Sequence, residues 1–147
     1  PKVNNLMMDA ESGKAIALVD LDTVKPGLVH YDIGDCLRSG CNPLGEETRE
    51  PEAVVFDLER CGAILSGYLE TAGQTLSEAD HRYLFDAIRL IPFELGLRFF
   101  TDHLKGNSYF KADRAGHNLD RALVQFALTA SIEAQENEIR ELLDQLR

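Results

Sequence analysis

Four polar residues near the start of the chain, Lys2, Asn5, Asp20 and Asp22, are of the types that handle phosphate and a hard cation. An amide oxygen and a carboxylate suit Mg2+, which prefers oxygen ligands. It commonly keeps one or two from protein and fills the rest with phosphate oxygens and water. Asn5 and Asp20 are a minimal pair of that kind, and Lys2 has the charge to balance a phosphate. Asn and Asp at strand ends also cap loops by bonding to backbone, and spacing alone favours that plainer use.

A hairpin is what would bring Asn5 to Asp20. Residues 6–9 and 15–19 are short apolar runs. Between them lies Ala10-Glu11-Ser12-Gly13-Lys14, with glycine where a tight turn needs positive φ. A turn centred on Ser12-Gly13 pairs Glu11 with Lys14, and that register sets Asn5 opposite Asp20. A one-residue slip would break it. Pro26-Gly27 then marks a turn, and a short helix is predicted over 31–38.

The remainder reads as helix. Residues 52–72 carry Val54, Leu58, Cys61, Leu65 and Tyr68 on one face. A second helix starts from an N-cap at Ser77 and buries Leu84, Ile88, Ile91 and Leu95. Pro92 should kink or break it before it resumes to Leu104. A third is predicted to be capped near Asn118 and to bury Leu119, Leu123, Phe126 and Ala130. The charged tail 133–147 packs on the body or on a partner. The acidic run 45–52 reads as a solvated loop.

A length of 147 residues, 44% of them hydrophobic, gives one globular domain. The 25 acidic and 15 basic residues leave a net charge of −10. That argues against nucleic acid or an anionic membrane held by bulk charge and suits a neutral or cationic small molecule. No apolar run approaches the roughly 18 residues of a membrane span, and no basic-then-apolar leader is visible. Cys36, Cys41 and Cys61 form no metal spacing and read as free thiols of a reducing, cytoplasmic setting. A Cys nucleophile would need a His partner that the sequence does not place. His30, His81, His103 and His117 lack ligand spacing; His30 lies near enough to the opening segment to be a minor candidate.

Pro1-Lys2-Val3-Asn4-Asn5 resembles the end of the catalytic loop of the aminoglycoside/choline phosphotransferase family, relatives of the protein kinases. That loop reads His-x-Asp-x-x-x-x-Asn, with Asn5 as its closing residue. Val19-Asp20-Leu21-Asp22 resembles the family's metal-binding segment, and Gly27 through Tyr31-Asp32 its Gly…Tyr-Asp stretch. Together with Arg98-Phe99-Phe100-Thr101-Asp102 and Tyr109-Phe110-Lys111, these segments are similar to the N-acetylhexosamine 1-kinase branch. The resemblance spans most of residues 1–135.

The resemblance implies a mainly α fold, the C-terminal lobe of a protein-kinase-like enzyme, with one small β-hairpin bearing the metal ligands. Asn5 and Asp20 would hold Mg2+ on the phosphates of ATP, and Lys2 would contact the transferred phosphoryl group. Asp22 could touch a second metal or an acceptor hydroxyl, and Asp32 the catalytic-loop backbone. Arg98, Asp102 and Tyr109 would belong to the sugar pocket, although Arg98 and Asp102 at i and i+4 could equally pair with each other on a helix surface. The catalytic Asp would stand immediately before Pro1, after a nucleotide-binding lobe, so residues 1–147 alone are expected to be inactive. The alternatives are a kinase for an aminoglycoside, choline or another amino alcohol, and a non-catalytic helical module dimerising through residues 119–146.

Overall fold

The computed structural model describes residues 3–22 and 24–146; Lys2 lies outside the described residues. A 3-10 turn at Val3–Asn5 leads into a hairpin of β1 (Leu6–Met8) and β2 (Ala15–Leu18). Six α-helices follow among the described residues: α1 (Val29–Gly40), α2 (Leu58–Ala72), α3 (Glu78–Arg82), α4 (Leu84–Leu104), α5 (His117–Ala134) and α6 (Glu136–Gln145). The fold is thus mainly helical with one small antiparallel sheet, as expected of a kinase-like helical lobe.

The hairpin forms in a different register. Asp9 N–H donates to the Lys14 carbonyl at 2.8 Å, and Gly13 N–H to the Asp9 carbonyl at 2.9 Å. The Asp9 carboxylate accepts from the Ser12 amide and hydroxyl at 2.8 and 2.6 Å. An aspartate able to bond its own turn therefore widens the loop, and Gly13 takes φ +65° inside it. Pairing then runs Met8 with Ala15, Met7 with Ala17 and Leu6 with Leu18, with a bulge between Met7 and Met8. Asn5 accepts from Val19 N–H through its backbone at 2.9 Å, one residue short of Asp20.

The first long helix starts later than its periodicity suggests. Pro51–Ala53 is a separate 3-10 turn, and Asp57 caps α2 by accepting from Arg60 N–H. Phe56 between them is buried, its N–H donating to Ser131 Oγ and its carbonyl accepting from Gln135 Nε2. Those bonds to α5 consume the backbone groups a longer helix would need. The Ser77 cap forms with Asp80 as a capping box, but the break falls at Tyr83. Pro92 does not end α4, a helix of 21 residues that runs on past it to Leu104.

α5 also departs from its pattern. Its N-cap is Gly116 at φ +73°, and Asn118 lies inside the helix and is fully buried. The buried face carries Asn118, Ala122, Gln125, Leu128, Thr129 and Ile132, while Leu123 and Ala130 are exposed. Three polar residues on that face hid the stripe from a hydrophobic count. The tail folds as α6 on the body, burying Ile139 and resting Leu142, Leu143 and Leu146 on the core. No helix among the described residues is long and apolar enough to cross a membrane.

The core joins α1, α2, α4, α5 and α6 through Leu37, Cys61, Leu65, Ile88, Leu128 and Ile139. α1 meets α4 so closely that a Cβ on Gly34 would lie 2.5 Å from Ile91 Cγ1 and 3.0 Å from the Ala87 carbonyl. Gly34→Ala should therefore destabilise the fold by about 1–3 kcal/mol. It should lower the urea midpoint at unchanged m; an unchanged midpoint would show that the helices can part there freely.

Candidate functional site

Asn5 and Asp20 meet despite the altered register. Asp20 adopts φ +61°, a left-handed conformation uncommon outside glycine but accessible to Asp. Asn5 Nδ2 then donates to Asp20 Oδ2 at 3.1 Å. Strained backbone of this kind clusters where a side chain must be aimed. The pair lines an open cavity of about 960 Å³ with Lys25, Gly27, Tyr31, Asp32 and Asp35. Asp22 is exposed beside it and does not line it.

α1 supplies the acidic wall. The nearly buried Arg38 guanidinium donates to Asp35 Oδ1 at 2.8 Å and to Glu46 Oε2 at 3.2 Å. His30 is turned away, its Nε2 2.9 Å from the Asp80 carbonyl and its ring edge-on to Tyr83. The cysteines are free thiols, Cys41 and Cys61 fully buried. A hydrogen bond with Cys61 and burial push the Cys41 thiol far up, and burial raises Cys36. Neither is a ready nucleophile, since the thiolate is the reactive form.

Arg98, Asp102 and Tyr109 come together elsewhere, around a second cavity of about 450 Å³ with Glu94, Thr101, Lys105 and Phe110. The two cavities share no lining residue. Arg98 does not pair with Asp102; its guanidinium lies over the Phe110 and Tyr109 rings, 5.4 and 5.9 Å from their centroids. Tyr109 is 75% exposed. Asp102 is 4% exposed and faces its own loop. Its Oδ1 accepts from Ser108 and Tyr109 N–H at 3.0 and 2.8 Å, and its Oδ2 from Phe110 N–H and Asn118 Nδ2, each at 3.0 Å.

Two long-range features escaped sequence reasoning because neither has a local spacing. The acidic loop is no free surface: Glu47 accepts from His117 Nε2 and from the Arg121 guanidinium. Asp113 N–H donates to His117 Nδ1 at 3.1 Å, which places the ring proton on Nε2. Burial raises the Glu47 pKa, but Arg121 and His117 outweigh it and hold the group below its usual value. Arg121 also reaches the Lys111 carbonyl and Asn118 Oδ1, tying the 105–116 loop to the acidic one.

No cluster of three or more His, Cys, Asp or Glu suited to a metal occurs among the described residues. A site completed by phosphate needs fewer protein ligands. Residues 1–63 match the model of the Phosphotransferase enzyme family, APH, a stretch of under half the chain. The match supports a phosphotransferase of kinase-like type and contains Asn5, Asp20, Asp22 and Asp32. Arg98, Asp102 and Tyr109 lie beyond it.

Burial raises the Asp102 pKa, yet the N–H groups of Phe110, Tyr109 and Ser108 and the charge of Lys105 bring it below the usual 3.8. A carboxyl lowered on folding stabilises the fold fully above its unfolded pKa and loses that contribution as pH falls through the folded one. The amides of 108–110 should therefore be protected from hydrogen exchange near neutral pH and lose protection only as pH falls below the usual carboxylate range. Protection that persists in strong acid would count against the carboxylate as their anchor.

Proposed function

We propose that this chain is the helical lobe of an ATP-dependent small-molecule kinase whose acceptor is a sugar hydroxyl, with N-acetylhexosamines the leading class. The observation that carries the reading is the Asn5–Asp20 pair, 3.1 Å apart on an open cavity inside the family-matched stretch. Two ligands at right angles on a cation with bonds of about 2.0–2.1 Å stand about 3 Å apart. A half-turn of the Asn5 amide exchanges its nitrogen and oxygen and offers two oxygens to one ion. Asn5 and Asp20 would hold Mg2+, whose charge neutralises the nucleotide phosphates.

Lys2 would contact the transferred phosphoryl group, and Asp22 an acceptor hydroxyl or a second ion. Arg98 and Tyr109 would bind the sugar, a guanidinium and an exposed ring suiting a polyhydroxylated face, with Asp102 beneath them. By the resemblance, an Asp upstream of Pro1 would accept the proton of the attacking hydroxyl. The hairpin fits a lobe that docks on further protein. Leu6, Met7, Met8, Ile16 and Leu18 are 41% to 63% exposed, and a lone hairpin is marginal in water.

The test is ATP-dependent phosphorylation by the intact polypeptide and by residues 1–147 alone, offered N-acetylhexosamines, choline and aminoglycosides. The intact protein should phosphorylate the sugars in a Mg2+-dependent reaction and the isolated chain should not. Asp20→Ala should cut kcat/KM by about 10²–10³-fold, the scale of losing one preorganised electrostatic contact, with the fold retained. Choline turnover without sugar turnover would move the acceptor to the amino alcohols. Sugar phosphorylation by residues 1–147 alone would overturn the division into lobes.

A further inference from the structure

The geometry points to Asp102 and Asn118 as a positioning pair that presets the acceptor pocket by locking backbone 108–110 beneath Tyr109 and Arg98. The inference rests on the acceptor role given above to Arg98 and Tyr109, and it assigns their support to two residues that need never touch the acceptor.

Asp102 sits in the last turn of α4, and the chain reverses just beyond it. Gly106 and Asn107 take φ +86° and +59°, and Asn107 N–H closes on the Asp102 carbonyl at 2.8 Å. The reversal returns three successive amides, 108 to 110, to one carboxylate. Charge-assisted bonds of this type are the stronger ones. From the opposite side Asn118, fully buried, donates to Asp102 Oδ2 and to Asn107 Oδ1, at 3.0 and 3.1 Å. Its own Oδ1 accepts from Arg121.

The consequence reaches the rings. With its amide fixed, Tyr109 stands edge-on to Phe110 at 4.8 Å between centroids, and Phe110 packs on Phe99 at 4.6 Å. Arg98 lies over both loop rings and Arg121 over Phe99. Tyr109 is 75% exposed, and its ring contacts are with Phe110 and Arg98, so the ring keeps its place only while the backbone that carries it and Phe110 stays fixed. A pocket ordered before binding avoids the ordering cost at binding. Loss of the pair should therefore raise the acceptor KM and spare the phosphoryl-transfer machinery in the other cavity.

The experiment uses the intact enzyme with Asn118→Ala and Asp102→Asn, read on whichever acceptor the wild type turns over. Both variants should lose exchange protection at amides 108–110. The acceptor KM should rise about tenfold or more, with kcat and the KM for ATP within about twofold, the pattern of lost binding common to ground and transition states. The exchange of partners, Asp102→Asn with Asn118→Asp, should recover part of the acceptor KM by restoring a carboxylate–amide pair.

Retained protection in Asn118→Ala would overturn the proposal. So would lost protection with an unchanged acceptor KM, the result of a merely structural role. A wild type that phosphorylates no offered acceptor would instead remove the functional reading on which the pair's role rests.

Discussion

The structure depends on how closely α1 and α5 approach α4. Gly34 lets α1 lie against Ile91 and the Ala87 carbonyl, and a Cβ on Gly96 would stand 2.7 Å from the Phe126 ring of α5. α4 is thereby held on two sides, and Pro92 is buried in its middle. A proline in a helix interior costs about 3 kcal/mol, which the packing of α4 into the core offsets. Through this spine the two cavities share one frame: α1 carries Asp32 and Asp35 to the first, and α4 carries Arg98 and Asp102 to the second.

The α4–α5 contact is partly polar, with Asn118, Gln125 and Thr129 buried on α5 and Asp102 on α4. A buried polar group is tolerated when its bonds are made and costs about 1–3 kcal/mol when they are not. Asn118 meets the first condition, bonding Asp102, Asn107 and Arg121. Gln125, two turns on and fully buried, meets the second: neither its oxygen nor its nitrogen finds a partner among the described residues. The satisfied end of the helix lies beside the loop that lines the second cavity.

The helical class and the hairpin were legible because they rest on local signals. Periodicity marked the helix of Cys61 and Leu65, and Ser77 marked a cap. Glycine at 13 marked a turn. The register was not legible, because Asp9 folds its carboxylate into that turn and adds residues to it. Asn5 still reaches Asp20 because Asp20 enters the left-handed region. The expected register set the two opposite each other, and the backbone brought them together by another route. The face of α5 was misread for a different reason: the residues it buries are partly polar, and of these Asn118 is satisfied by Asp102 on α4 and by Asn107 in the loop.

By itself, the sequence determined a mainly helical chain with one hairpin, and a resemblance to the kinase-like phosphotransferases that the match over residues 1–63 supports. These follow from hydrophobic period, turn residues and motif order, all short-range properties of the chain. Only the tertiary structure decided that Glu47 clamps His117 and Arg121 across 70 and 74 residues, and that Asp102 turns to its loop instead of to Arg98. Such contacts depend on which distant groups packing brings within hydrogen-bond reach, and no local spacing records them.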